Sequence, residues 1–220
     1  MSVHLQREID RLQKYLLSLG AIVEDQVQLA VRAFLERDTE LAREVEQRDP
    51  DIDHREVELE EECLKTLALY QPVAVDLRFI IAALKINNDL ERIGDLAVNV
   101  AHKAAAYAAD VPIAIHFDLS AMGTKVLAML HDSLESLIDL DPQLATEVCR
   151  RDDEIDVMKH DNRVQVEEQI RCQPELVSPL LRLLAVSRNL ERIADCATNI
   201  AEDVVYMTSG KIIRHGDDEI

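Results

Sequence analysis

The amino-acid sequence predicts an all-α protein built as two tandem, sequence-related three-helix bundles. The block Leu-Glu-Arg-Ile-Gly-Asp at residues 90–95 returns at 190–195 as Leu-Glu-Arg-Ile-Ala-Asp, and residues 19–53 align without a gap with residues 122–156. The chain has only five glycines and six prolines in 220 residues, and it lacks the alternating, turn-bounded runs that predict strands. A helical unit of about a hundred residues has therefore been duplicated in tandem.

The first repeat contains apolar residues at the alternating steps of three and four that indicate amphipathic helices. Asp38-Thr39 supplies a break and a cap for a short helix, and Asp49-Pro50 pairs an N-cap with proline at the first helical position. The predicted elements are a helix over about 5–36, the short helix from 38, a helix from 49 to about 69, a turn at 71–72, and a long helix to about 109.

The second repeat follows the same plan. Asp141-Pro142 opens its short helix, and Ser178-Pro179 could delay the start of its last helix. The periodicity stops near Val111-Pro112, so the two repeats are predicted to span residues 1–110 and 117–215. The predicted elements are a helix over about 119–139, the short helix from 141, a helix to about 171, a turn at 173–174, and a final helix.

The composition limits the possible functions. Forty-three acids against twenty-four bases give a formal net charge of −19, which repels nucleic-acid phosphates and anionic lipids and attracts cations. The four cysteines have no CxxC spacing and are expected to be small, buried residues in a reducing compartment. No apolar signal region opens the chain, and no apolar run is long enough for a membrane span. We therefore expect a soluble, cytoplasmic protein.

Pairs of carboxylates spaced by four residues occur in both repeats. Such residues project from one face of a helix. Any single pair is common in an acidic helical protein, and Arg92 could neutralise Asp95 on a solvated face. The pairs that recur in the duplication are Asp49/Asp53 and Glu91/Asp95, then Asp152/Asp156 and Glu191/Asp195.

The distances of these pairs from the turns, counted in residues, predict that the pairs lie close together. In an antiparallel hairpin, residues equally far from the turn lie at the same height, so each repeat places a DxxxD pair level with an ExxxD pair across a contact of roughly 8–10 Å. Four like charges at that separation either retain protons or surround a cation. All-oxygen sites suit Mg²⁺, Mn²⁺, Ca²⁺ and iron, and the Cys and His ligands of structural zinc are missing. The predicted metal ligands are Asp49, Asp53, Glu91, Asp95, Asp152, Asp156, Glu191 and Asp195.

The sequence resembles the PhoU family over nearly its whole length. The resemblance lies in the Asp-Leu-Arg run at 76–78, the repeated LERIxD blocks and the run at 210–215. It implies a multinuclear metal cluster on each repeat, of iron or zinc, with Mg or Mn possible. It further implies a non-enzymatic negative regulator of the phosphate regulon, often a homodimer, acting between a phosphate ABC transporter ATPase and a membrane sensor histidine kinase. Pro50 inside the first DxxxD and the different run at 178–182 depart from the family pattern.

Two other classes stay open at this point. Asp152-Asp153-Glu154-Ile155-Asp156 fits the DDxxD pattern of helical enzymes that bind Mg-diphosphate, although the first repeat has no double Asp. A metal-free helical adaptor with solvating acids is the other alternative. A ferritin-like oxidase would need Glu-x-x-His pairs, which are missing, and no Gly-rich phosphate loop is present. Four scattered histidines are expected to lie at the surface: His54, His102, His131 and His160.

Overall fold

The computed structural model describes residues 3–110 and 118–210. Within these ranges the chain is almost entirely helical, with no strand, which confirms the predicted all-α class. The predicted boundary near 111–112 and most of the run at 210–215 lie outside the described residues. The elements are α1 (Val3–Glu36), α2 (Thr39–Tyr70), α3 (Val75–Ala108), α4 (Leu119–Asp139), α5 (Pro142–Cys172), a 3₁₀ turn (Pro174–Leu176) and α6 (Val177–Ser209).

Helices α1–α3 form one bundle and α4–α6 form the other, with α3 packed along α6 at the centre of the molecule. The predicted apolar stripe of α3 is buried, including Ile86, Leu90 and Ile93, and the matching residues Leu190 and Ile193 of α6 are buried too. Burying each large aliphatic side chain contributes about 1.5–3 kcal/mol. The almost purely aliphatic core thus accounts for the folding of both bundles.

Helix starts follow local capping chemistry. The Asp38 carboxylate accepts hydrogen bonds from the backbone N–H groups of Glu40 and Leu41 at 2.8 and 3.1 Å. Asp141 opens α5 in the same way, by accepting from Gln143 and Leu144. An N-cap carboxylate satisfies backbone donors that have no partner inside the helix. Both caps confirm the sequence prediction.

The two predicted short helices are wrong, because α2 and α5 run on without a break. Pro50 lies inside α2, where it removes a backbone hydrogen bond. Val45 and Ile52 are fully buried on either side of it, so packing of this face outweighs the local penalty. Asp49 is therefore not an N-cap. The expected delay of α6 is also wrong, since α6 begins before Pro179 and a proline is tolerated in a first turn.

The repeats meet through matching contacts. An added Cβ at Gly20 of α1 would lie 2.7 Å from Leu134 of α4, and one at Gly123 of α4 would lie 2.9 Å from Val31 of α1. Gly20 aligns with Gly123, and Val31 aligns with Leu134. The α1–α4 contact is therefore pseudo-symmetric. Between α3 and α6, the Lys85 ammonium lies 2.9 Å from the buried carboxylate of Asp203.

The cysteines and the helix surfaces bear on two further expectations. All four cysteines are free; Cys63 and Cys196 are buried, and Cys149 is partly buried. Cys172 is exposed at the end of α5, so the expectation of a buried cysteine is wrong there. No helix in the described ranges has a stretch that is long and apolar enough to cross a bilayer.

Candidate metal sites

The first-repeat set, defined here as Asp49, Asp53, Glu56, Glu91 and Asp95, lies on the facing sides of α2 and α3. Burial raises the pKa of Asp49, and the charges of Asp53 and Asp95 raise it further. Burial also raises the pKa of Glu91, followed by repulsion from Asp95, Asp53 and Glu56. The pKa of Glu56 is raised by burial and by Glu60 and Asp53. These carboxylates therefore share one electrostatic environment, as the hairpin geometry predicted.

Little positive charge balances the first-repeat set. Among the described residues, no Lys or Arg forms an ion pair with any of its five members. Arg92 does not pair with Asp95, in contrast to the alternative of a neutralised face. His102 lowers the pKa of Asp49, but its Nε2 lies 3.3 Å from Glu46. The set is an acceptor-rich surface that favours a cation.

Two buried amides adjoin the first-repeat set. Gln26 of α1 is fully buried and donates from Nε2 to Asp49 Oδ1 at 3.2 Å. Asn87 of α3 is also fully buried, and its Nδ2 donates to the backbone oxygen of Glu56 at 2.9 Å. The carbonyl oxygens of both amides, Gln26 Oε1 and Asn87 Oδ1, have no hydrogen-bond partner within residues 3–110 and 118–210. Buried oxygens without a partner are costly, and amide oxygens are ligands of hard cations. The first-repeat set therefore fits a hard divalent metal.

The second-repeat set, defined here as Asp152, Asp156, Lys159, Glu191 and Asp195, occupies the equivalent faces of α5 and α6. Burial raises the pKa of Asp195 to about 6, with further repulsion from Glu191 and Asp152. The pKa of Asp152 is likewise raised by burial. Asp152 and Asp195 line a groove of about 1000 Å³ between α3 and α6. The four predicted carboxylates are thus together, as in the first repeat.

Lys159 distinguishes the second-repeat set from the first. Its ammonium lies 2.5 Å from Asp156 Oδ1 and 2.7 Å from Glu191 Oε1, and so joins α5 to α6. Hydrogen bonds to Asp156 and then to Glu191 raise the pKa of Lys159, which stays charged at neutral pH. Two of the four predicted ligands already have a cationic partner. The residues present therefore do not fit a divalent metal unless Lys159 moves.

The carboxylate oxygens of neither set converge closely enough to surround one metal ion as the side chains stand. In the described part of the chain, one group of three His, Cys, Asp or Glu side chains has its ligand atoms within 4.8 Å of one another: His131, Asp132 and Glu135 on α4. His131 Nδ1 lies 2.9 Å from Glu24 of α1, and Asp132 is paired with Arg151. Two of its three members thus have ionic partners. An ion bound by three carboxylates of the first-repeat set would require side-chain rotation.

Sequence reasoning missed four residues of these sites: Gln26, Glu56, Asn87 and Lys159. The amides contribute from positions outside the DxxxD and ExxxD pairs. Glu56 and Lys159 lie three residues beyond the second Asp of their DxxxD pairs, just past the last residue of the gapless alignment. Extending that alignment by one helical turn would have found the exchange of acid for base.

The fold and the two sets define a class of protein: an all-helical, duplicated chain with facing carboxylate pairs on each repeat. The family model for the PhoU domain matches residues 16–104 and again residues 119–204. The chain belongs to the PhoU family.

Named relatives and solved structures agree with this assignment. The chain is 35% identical to a protein of Aquifex aeolicus named "Phosphate-specific transport system accessory protein PhoU homolog", over 96% of each chain. The crystal structure of PhoU from Pseudomonas aeruginosa matches with a TM-score of 0.90 and 34% identity, covering 94% of this chain and 99% of that one. The crystal structure of the phosphate transport system regulatory protein PhoU from Streptococcus pneumoniae matches with a TM-score of 0.86 and 27% identity, covering 96% of this chain and 100% of that one.

Proposed function

We propose that this protein is an accessory regulator of phosphate transport that lowers phosphate uptake and phosphate-regulon signalling when phosphate is plentiful. The observation that carries the proposal is the match of both repeats to the PhoU domain. It is supported by a TM-score of 0.90 to PhoU of Pseudomonas aeruginosa. The names of these relatives describe an accessory protein of phosphate-specific transport.

The regulator acts through protein contacts in the cytoplasm and not through catalysis. Its proposed partners are the ATPase of the phosphate ABC transporter and the sensor histidine kinase, and a homodimer is its proposed assembly. A net charge of −19 favours binding to proteins that carry basic patches and disfavours binding to DNA. Charge complementarity of this kind speeds association and selects partners.

Metal binding is part of the proposal. The first-repeat set offers five carboxylates and two adjacent buried amides, whose oxygens have no hydrogen-bond partner among the described residues. Iron, Mn²⁺ or Mg²⁺ suits such oxygen ligands, and zinc is the further candidate from the family resemblance. A bound metal would supply positive charge between α2 and α3. The carboxylates of these two helices would then hold the metal and, through it, each other.

Deletion of the gene in its native bacterium tests the regulatory function. A phosphate-starvation reporter should become active in phosphate-rich medium, because the repressing contacts are lost. Purified full-length protein should also bind the transporter ATPase or the sensor kinase in a pull-down. An unchanged reporter together with no binding to either partner would contradict the proposal, whatever the metal content of the protein.

The two alternatives make different predictions. Mg-diphosphate chemistry at residues 152–156 requires free aspartates, and the Lys159 contact with Asp156 counts against it. A metal-free adaptor predicts no metal uptake. Equilibrium dialysis against Mn²⁺ of the wild type and of the Glu91→Ala/Asp95→Ala variant distinguishes that adaptor from a metal-binding regulator.

A further inference from the structure

The two repeats differ in charge at one aligned position beside the carboxylates. Glu56 of α2 belongs to the first-repeat set, and Lys159 of α5 belongs to the second. Each lies one helical turn beyond the second Asp of its DxxxD pair. The duplication has therefore placed an acid in one set and a base in the other, on otherwise matching helix pairs.

Lys159 is held within the second-repeat set by two contacts. Its side chain is 32% exposed, and its ammonium reaches Asp156 on its own helix and Glu191 on the neighbouring one. The Glu191 side chain is only 18% exposed, so this contact is partly shielded from solvent. An ion pair that is partly shielded from solvent is screened less by salt than a pair between exposed side chains.

We propose that Lys159 is the built-in cation of the second-repeat set, and that a divalent metal consequently loads the first-repeat set alone. This inference rests on the metal binding in the proposed function. It replaces the sequence prediction of two equivalent metal sites with one metal site and one internal ion-pair site.

The competition is for the same oxygen atoms. Lys159 Nζ contacts one carboxylate oxygen each of Asp156 and Glu191, and an ammonium donates to the lone pairs that a metal would need. A divalent ion entering this set would also be repelled by the ammonium. To bind there, the metal must displace the lysine. Because the lysine must be displaced, we expect Mn²⁺ to bind the second-repeat set at least about tenfold more weakly, which corresponds to about 1.4 kcal/mol.

The residues around the two sets also favour metal binding in the first repeat over the second. Gln26 aligns with Met129, which is buried and contributes no oxygen. Asn87 corresponds to Ser187, whose hydroxyl accepts a hydrogen bond from Asn162 at 3.0 Å. The first-repeat set thus has amide oxygens without partners, whereas these two positions of the second repeat offer none. This difference is independent of Lys159 and favours metal in the first repeat.

A charge exchange between the repeats tests the inference. Full-length wild type, Glu56→Lys, Lys159→Glu and the double variant are dialysed against Mn²⁺ at pH 7, and bound metal is measured by mass spectrometry. We expect Lys159→Glu to gain Mn²⁺ and Glu56→Lys to lose it. The double variant has the composition and net charge of the wild type, and we expect its Mn²⁺ to move to the second repeat.

Removal of carboxylates locates the bound metal in each background. Glu91→Ala/Asp95→Ala should release the Mn²⁺ of the wild type, while Glu191→Ala/Asp195→Ala should release that of the double variant. Lys159→Met is a second variant should Lys159→Glu fail to fold, and its bound Mn²⁺ should also rise. Circular dichroism verifies folding.

Three results would overturn the inference. The first is loss of the wild-type Mn²⁺ in the Glu191→Ala/Asp195→Ala variant. The second is equal Mn²⁺ binding by both repeats. The third is no increase in bound Mn²⁺ in either Lys159→Glu or Lys159→Met. Absence of Mn²⁺ from every variant would overturn the metal proposal together with this inference. The reporter and pull-down experiments would still decide the regulatory function separately.

Discussion

Replacing Asp195 by asparagine should stabilise the metal-free protein at neutral pH. Burial and the neighbouring carboxylates raise the pKa of Asp195 from 3.8 to about 6. An acid whose pKa is raised in the folded state is destabilising once it is ionised. Asparagine has nearly the same shape and no charge, so the variant removes this repulsion at pH 7.

The magnitude follows from the shift. About two pKa units correspond to nearly 3 kcal/mol at 1.36 kcal/mol per unit. The neighbouring helices desolvate the Asp195 carboxyl only in part, since much of the residue's surface faces solvent, so solvent screening reduces this to about 1 kcal/mol. For a chain of this size, that raises the melting temperature by about 2–4 °C.

The size of the stabilisation depends on pH, and this dependence identifies its cause. Stability from protonated Asp195 is present in full at low pH and is lost as pH rises from about 4 through about 6. At pH 5 the wild type has lost roughly half of it, so the gain from Asp195→Asn should fall to roughly half. Melting curves in EDTA from pH 5 to pH 7.5 measure both values.

A matched control has the opposite sign. Asp132 is paired with Arg151, and Asp132→Asn should lower the melting temperature at pH 7 because it removes an ion pair instead of a repulsion. The reasoning is refuted if Asp195→Asn lowers the melting temperature at pH 7, or if its effect is the same at pH 5 and pH 7.

Three further predictions concern other parts of the structure. Gly123→Ala should destabilise the protein by about 1–3 kcal/mol in urea unfolding, because the new methyl group would lie 2.9 Å from the stiff side chain of Val31; an unchanged midpoint would contradict the close α1–α4 contact. Glu24 raises the pKa of His131, so the stability that this pair contributes is present below about pH 6.5 and lost as pH rises. His131→Gln should therefore lower the melting temperature by a degree or so at pH 6 and not at pH 8, and an equal effect at both values would rule out titration of this pair. Gln26→Met, which installs the residue of the second repeat, should keep the fold by circular dichroism and weaken Mn²⁺ binding severalfold; unaltered Mn²⁺ affinity would show that the amide does not contribute.

The sequence predicted the fold well where local signals and packing agree. Asp38 and Asp141 both open helices as expected. Asp49-Pro50 carries an equally good local signal, yet the helix continues. Val45 and Ile52 are buried on one continuous face of α2, and that tertiary contact is not visible in a cap-and-proline pattern.

The candidate sites were predicted only in part. Counting residues from a turn is enough to bring four carboxylates level, because the rise per residue is the same in both helices of a hairpin. It cannot show which side chains approach from a third helix, as Gln26 does from α1. Nor can it show that the ammonium of Lys159 contacts Glu191 across the helix pair, since that depends on side-chain conformation.

Some aligned positions of the two repeats are constrained by packing, and others are free to differ. Gly20 and Gly123 occupy matching close contacts between α1 and α4, where any larger residue would clash, so the duplicated core has kept its spacing in both copies. Glu56 and Lys159 lie at the partly exposed margin of the helix pairs, where an exchange of charge costs little packing. A change there alters which cation neutralises the carboxylates without altering the bundle. Under the metal binding proposed above, a duplicated scaffold of this kind would hold one exchangeable cation and one permanent cation on nearly identical helix pairs. The charge of one half would then depend on metal supply, and the charge of the other half would not.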